Sequence, residues 1–272
     1  MPDSQWIASF VGSIPEMYDR YMGPVFFDPS AADLVRRVDP AGTPILDLAS
    51  GTGRLTAPLV RRVQPAAPPD IVALDLNAAM HQIARVRVPD PRIRRVVGNA
   101  FRLPFPDRVF AQAVCQYGVM FFPDKAAAAE EVRRVLRRGG VYRFNTWASL
   151  EDNPLMLAGL NGSARLYGGE SLKFYHVPFG YFDPAVIRRD LERGGFTSID
   201  IERVELTGHC TSAMEVATGL VKGSPILDEI RQRGTRTPDE VVDAVAEDIA
   251  AAFGSGPFDA RLRAVVVTAS AA

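Results

Sequence analysis

A chain of 272 residues with 47% apolar side chains can build a sizeable core without disulfides or a structural metal, and it fits one α/β domain with insertions. A formal net charge of −1 leaves no basic field for nucleic acid, and pairs such as Arg36/Arg37 and Arg133/Arg134 read as solvated helix faces. The two cysteines, Cys115 and Cys210, form no C-x-x-C pair and read as buried or semi-buried free thiols of a reducing compartment. With no basic-then-apolar leader and no apolar run of bilayer length, a cytoplasmic protein without a membrane partner is expected. His81, His176 and His209 stand apart from one another, so no metal is expected.

In chain order, residues 6–22 are apolar and aromatic enough to form a packed helix, and a second helix is expected over residues 30–38. A short apolar run from Ile45 then delivers Asp47 into ILDLASGTGRL, a glycine-rich turn with helix-forming sequence beyond it. Gly51 and Gly53 lack a Cβ, so the backbone can turn with positive φ and a ligand can approach the main chain. A pyrophosphate-binding loop of the G-x-G-x-x-G kind would need a third glycine, where this chain has Thr56. Asp47 would also repel a pyrophosphate and attract a cationic ligand. After a Pro- and Ala-rich turn at residues 64–69, Ile71 opens a second strand that ends in Asp75. That aspartate lies about 20 residues beyond the last glycine, the spacing at which a carboxylate meets ribose hydroxyls. On the following helix, His81 is expected to be exposed.

A third strand ends in RVVGNA at residues 95–100, and LPFPD at residues 103–107 precedes a fourth strand over residues 109–116, followed by YGVMFFPD. Residues 124–142, DKAAAAEEVRRVLRRGGVY, read as a helix capped by Asp124, with acids early, arginines late and Gly139 as terminator.

The pattern D-x-A-x-G-x-G over Asp47, Ala49, Gly51 and Gly53 resembles motif I of the class I S-adenosylmethionine-dependent methyltransferases. The later segments GNA, LPFPD and RVLRRGG are similar, in order and spacing, to the small-molecule branch that includes ubiquinone and menaquinone biosynthesis C-methyltransferases. The likeness covers roughly residues 43–147. It implies S-adenosylmethionine as cofactor, with Asp47, Ala49, Gly51, Gly53 and Asp75 around its charged end and ribose. It further implies contacts from Leu76, Met80, Asn99, Ala100, Gln116 and Tyr117. The family usually has Asp at position 99, where an Asn amide oxygen can accept the same bond without charge. Segment 14–21, with Tyr18, Asp19 and Tyr21, resembles the family's Y-D-x-Y stretch over the pocket and is expected to be part of a lid.

Beyond a fifth strand at residues 140–147, residues 150–182 are too long and too apolar for a plain connection. Asp183-Pro184 starts a helix ended by Gly194, and a sixth strand follows over residues 196–206. A second insertion at residues 211–256 has helix starts at Ser212-x-x-Glu215 and Thr237-Pro-Asp-Glu240. The last strand is expected over residues 261–268. These elements imply a doubly wound, Rossmann-like seven-stranded sheet whose last strand is antiparallel. A single domain is expected, with core segments 41–149, 183–210 and 257–272 under helical cap elements 1–40, 150–182 and 211–256.

The cap's Met156, Leu160, Phe174, Tyr175, Phe179, Tyr181 and Phe182 would line a pocket for a small hydrophobic, aromatic or quinone-like acceptor of secondary metabolism. Methyl transfer from a sulfonium needs alignment above all, and a base only when the acceptor must lose a proton. His176, amid YHVPFGY, is the first candidate for that base, and His209, Tyr18, Tyr21, Tyr117 and Tyr175 are others. Two further readings stay open. One is a non-methylating enzyme of the same fold that uses the cofactor's charge for pericyclic or lyase-like chemistry. The other is an NAD-binding oxidoreductase.

Overall fold

The computed structural model describes Phe10 and residues 12–65 and 69–270. The expected helix start at Trp6 and the middle of the turn at residues 64–69 lie outside the described residues. The chain opens with a short helix α1 (Ile14–Met17), a ten-residue π-helical stretch (Tyr18–Phe27) and α2 (Asp28–Arg36). The two separate helices expected here are therefore one continuous segment with a wider middle turn. Pro24 cannot donate to an α-helical ladder, and the Asp28 N–H reaches back five residues to the Gly23 carbonyl.

The core then alternates β1 (Ile45–Leu48), α3 (Thr56–Arg62), β2 (Ile71–Asp75), α4 (Ala78–Arg87) and β3 (Ile93–Val97), followed by β4 (Phe110–Gln116), α5 (Lys125–Val135) and β5 (Leu136–Trp147). β1 is buried along its whole length, as expected of a parallel strand covered on both faces. α5 ends at Val135, four residues short of the expected terminator Gly139. The glycine pair acts inside β5 instead, where the register against β4 shifts. Gly139 has φ +70°, and a Cβ on Gly140 would sit 2.8 Å from the Arg137 carbonyl.

The first cap insertion supplies α6 (Pro154–Leu166) and a 3₁₀ turn (Lys173–His176), and α7 (Pro184–Arg193) leads into β6 (Ser198–Cys210). The second supplies α8 (Ala213–Lys222), α9 (Ile226–Arg233) and α10 (Pro238–Phe253) before β7 (Phe258–Ser270). Asp183 caps α7 through the Ala185 N–H, and Thr237 and Glu240 form a complete capping box on α10. At α8 only half of the expected box forms: Ser212 accepts from the Glu215 N–H, while the Glu215 carboxylate takes the Thr211 hydroxyl.

The described strands form a seven-stranded sheet in the order β3-β2-β1-β4-β5-β7-β6. The first five are parallel, and β7 runs antiparallel between β5 and β6, as the sequence implied. One hydrophobic cluster runs from sheet residues such as Leu46, Phe144 and Val265 into cap residues such as Leu155, Leu220 and Val245. The strand order reverses between β1 and β4, so the crevice outside their carboxyl ends is where a ligand belongs in an open α/β sheet.

Candidate functional site

At that crevice the chain leaves β1 through Leu48 into a loop with three left-handed residues: Ala49 (φ +54°), Gly51 (φ +53°) and Gly53 (φ +81°). Tyr117, just beyond β4, is left-handed as well (φ +50°). Two non-glycine residues of the switch point are thus held in a sparsely populated region, strain of the kind that clusters at functional sites. The two turns pack tightly, since a Cβ on Gly118 would lie 2.7 Å from both the Ala49 Cβ and the Cys115 Sγ. The turn after β4 is fixed from β5 by Asn145, whose side-chain oxygen accepts the Tyr117 N–H at 3.0 Å.

Two carboxylates sit at the floor. Asp47 is 1% exposed; one oxygen accepts the Thr56 hydroxyl at 2.6 Å, and the other has no partner among the described residues. Burial pushes its carboxyl up to about 7, with the Thr56 bond opposing and the charge of Asp75 adding to the rise. Asp75 accepts the Gly51 and Asn77 backbone N–H groups, each at 2.8 Å, and burial again raises its carboxyl against those bonds. Each carboxylate oxygen can accept more than one bond, so Asp75 keeps capacity for two hydroxyls. The buried Ser50 hydroxyl is likewise unpartnered among the described residues, and a Cβ on Gly51 would point into open space. Unsatisfied acceptors and an open backbone beside two acids suit a ligand that carries positive charge and hydroxyls.

A cavity of about 380 Å³ opens above this floor. Ala49, Gly51, Asp75, Leu76, Met80 and Asn99 line it, joined by Ala100, Gln116 and Tyr117. Asp47 lines a smaller connected space with Ser50, Thr52 and Arg54. Gly53 lines neither, and its role is packing: a Cβ there would lie 3.3 Å from the Ala84 Cβ on α4. Asn99 already uses its side-chain oxygen on the Phe101 N–H at 2.9 Å, leaving one lone pair for another donor. Gln116 turns its amide to the Phe27 carbonyl at 2.6 Å, so it ties the π-helical stretch to β4.

A second, apolar chamber of about 70 Å³ adjoins the first and shares Phe10, Tyr18, Tyr117 and Phe121 with it. Its cap wall includes Met156, Phe174, Tyr175 and Phe179, as expected. Leu160, Tyr181 and Phe182 do not join it; Tyr181 packs its ring 5.0 Å from the Lys125 ammonium. Trp147 at the end of β5 stacks on Tyr117 at 4.2 Å and forms part of the floor.

Of the proton-transfer candidates, Tyr18, Tyr117 and Tyr175 reach these spaces. Tyr21 lies under Arg20 and lines none of them. His176 is exposed at the end of its 3₁₀ turn, with its Nε2 2.9 Å from the Ser171 hydroxyl, and does not line the chamber. His209 is exposed and pairs with Asp259 at 2.6 Å. The expectation of an exposed His81 is corrected: it is 1% exposed and its Nε2 lies 3.0 Å from the Val96 carbonyl, because that face of α4 lies against β3. Burial pushes the Tyr18 and Tyr117 phenols far above their ordinary range. Cys115 and Cys210 are both free and buried. Residues that the sequence did not single out include Phe10, Phe121 and Asn77. Asn77 caps α4 through the Ala79 N–H, and the N-x-x-M opening of that helix was the available signal.

With this sheet order, switch-point crevice and glycine loop, the chain is similar in fold to solved methyltransferases, and residues 45–140 match the family model described as a methyltransferase domain. Among relatives, a ubiquinone/menaquinone biosynthesis C-methyltransferase UbiE of Hahella chejuensis is 40% identical over 104 residues, covering 37% of this chain and 41% of the relative. The chain spans about two fifths of the length of the curated relatives it matches. Among solved structures, phosphoethanolamine N-methyltransferase 2 of Haemonchus contortus, in complex with S-adenosyl-L-methionine, superposes with a TM-score of 0.59 at 15% identity, over 94% of this chain and 56% of that one. The [4+2]-cyclase SpnF superposes with a TM-score of 0.54 at 17% identity, over 89% and 80%. At these identities the likeness is one of fold.

Proposed function

We propose that this chain is an S-adenosylmethionine-dependent methyltransferase acting on a small hydrophobic or aromatic acceptor. The observation that carries the reading is the pair of buried carboxylates, Asp47 and Asp75, flanking an open glycine loop at the switch point. When bound, S-adenosylmethionine supplies an electrophilic methyl group on a sulfonium. Asp47, Ser50 and Gly51 would hold its charged amino-acid end, Asp75 and Asn77 its ribose, and Leu76, Met80, Asn99 and Ala100 its adenine. Asp47 beside the loop and the lack of a third glycine at Thr56 disfavour a dinucleotide pyrophosphate at the same place.

The remaining work falls to alignment. Tyr18, Tyr117 and Phe121 stand where the two cavities meet and would orient an acceptor held in the chamber. Holding the reactants in line can supply about 7–11 kcal/mol of the barrier. Raised phenols are poor bases near neutrality, so Tyr18 serves better as a neutral hydrogen-bond donor and wall than as a proton acceptor. A quinone-like acceptor is the finer reading that the names of the relatives suggest, and the aromatic lining of the chamber is compatible with it. A soluble cytoplasmic enzyme of secondary metabolism remains the accompanying expectation; among the described residues no helix is long and apolar enough to cross a membrane.

The test is calorimetry with S-adenosylmethionine and NAD, followed by an acceptor screen that detects S-adenosylhomocysteine. Binding of S-adenosylmethionine with S-adenosylhomocysteine formed on some acceptor is the expected outcome. Binding and substrate conversion without that product would favour a cyclase-like reading. Tight NAD binding with no S-adenosylmethionine response would overturn both.

A further inference from the structure

The π-helical stretch, Tyr18–Phe27, lies across the crevice as a strap. Its first residue, Tyr18, lines the main cavity, the apolar chamber and the small space over Asp47, and it stacks on Phe27 at 4.6 Å. Tyr18 and Phe27 roof the small space, while Asp47, Ala49, Ser50 and Gly51 are among the residues below. That space is about 30 Å³, so a group entering it packs directly against the strap's Tyr18 and Phe27.

Besides the Gln116 amide on the Phe27 carbonyl, one side chain gathers the strap's ties to the glycine loop and α4. The Asp19 carboxylate accepts the Thr52 hydroxyl at 2.7 Å and the Arg54 Nε–H at 3.1 Å, and its other oxygen pairs closely with Arg87. Thr52 and Arg54 belong to the glycine loop itself, whereas Arg87 ends α4. Arg54 also donates to the Asp19 carbonyl and pairs with Asp28 at 2.8 Å, so its guanidinium is clasped by both ends of the strap. Gly23 makes that clasp possible: a Cβ there would lie 2.2 Å from the guanidinium carbon. The side chains of Asp19, Arg54 and Arg87 are only 15%, 12% and 25% exposed, so solvent and salt weaken these pairs less than surface ones.

We propose that Asp19 is the latch of this strap, and that its clasp by Thr52, Arg54 and Arg87 sets the rate at which cofactor and spent cofactor exchange. The inference rests on the methyltransferase reading of the site. Asp19 lines none of these three spaces, so it is a positioning residue that acts through Tyr18 and the glycine loop. Breaking the clasp frees the strap to lift and leaves the floor carboxylates in place.

Stopped-flow displacement of S-adenosylhomocysteine from the full chain gives one readout, and hydrogen exchange of the strap amides without ligand gives a second. Asp19→Asn is nearly isosteric, and Arg87→Met cuts the tie to α4 without touching the loop. Each variant is expected to raise the off-rate by about tenfold or more, with the association rate unchanged or higher. Exchange at residues 18–27 is expected to speed up while exchange in β1 and β4 stays at the parent level. Arg87→Lys, which keeps the charge, is expected to restore part of the slow release. A merely structural role would instead lower the melting temperature and hasten exchange throughout. Off-rates and strap exchange equal to the parent's in both variants would overturn the latch. Failure of the parent to bind S-adenosylhomocysteine would overturn the cofactor reading, and the exchange data would still decide whether Asp19 holds the strap.

Discussion

Asp47 sits in β1 with one oxygen on Thr56 and the other unpartnered among the described residues, and burial lifts its carboxyl to about 7. Folding therefore favours the protonated form. The stability of the ligand-free protein is fully retained below the unfolded value near 3.8 and is lost as pH rises through about 7. Asp47→Asn keeps an acceptor for Thr56 and removes the charge, so the ligand-free variant should be more stable than the parent by on the order of 2 kcal/mol at pH 8. That gap should shrink toward pH 5, which denaturant titration at the two pH values would check. The same substitution should weaken S-adenosylmethionine by about 10–100-fold, the cost of losing a charged partner. In the parent, affinity for S-adenosylmethionine should climb from pH 5 and level off above about 7 as Asp47 ionises, while the variant's profile stays flatter; calorimetry across that range reads it directly. The placement of Asp47 and Asp75 beside the glycine loop was legible in the sequence because each stands at or next to the end of a short apolar strand run, and the two acids and the glycines occur together. His176 was not, because an aromatic neighbourhood in sequence says nothing about which side of a 3₁₀ turn faces the chamber.

At the scale of elements, strand runs and helix caps were readable because hydrophobic runs and capping residues act locally. Asp124 caps α5, and Asp183 and Thr237 cap their helices as the sequence indicated. The places where reading failed are those where a distant partner decides. The glycine pair after RVLRR looked like a helix stop, yet β4 draws Leu136 into a strand and the glycines serve a register shift. The strap's close approach to Arg54 requires Gly23, where a Cβ would lie 2.2 Å from the guanidinium carbon, and no local pattern discloses that. In the cap, α6 meets α10 through Gly162, where a Cβ would lie 2.7 Å from the Ala244 carbonyl and 2.8 Å from the Val245 Cα. Gly162→Ala should therefore cost about 1–3 kcal/mol, despite the better helix propensity of alanine, as an equilibrium denaturant curve would show. Thr237→Ala should cost about 1 kcal/mol through the lost capping box.

Across the whole molecule, sheet and cap share one continuous hydrophobic cluster. Far-ultraviolet and near-ultraviolet signals should therefore change together on heating, with no separate cap transition. Because the crevice belongs to that unit, a ligand that binds only the folded chain should stabilise all of it. S-adenosylhomocysteine at a hundredfold excess over its dissociation constant should add about 2.7 kcal/mol and raise the melting temperature by about 5–10 °C. NAD at the same concentration should leave it unmoved.

Among the described residues, β6 has β7 as its only strand neighbour, and β7 comes later in the chain. Between the two lie α8, α9 and α10. During synthesis β6 thus emerges as an open edge and keeps that edge until the three helices and then β7 have followed. Closing it means placing β7 antiparallel into a slot already bounded by β5 on the other side, a pairing of distant segments that is slow to find. The cap helices shorten that search by collapsing the intervening chain. Part of the sequence that lines the apolar chamber is thereby also what brings the sheet to completion.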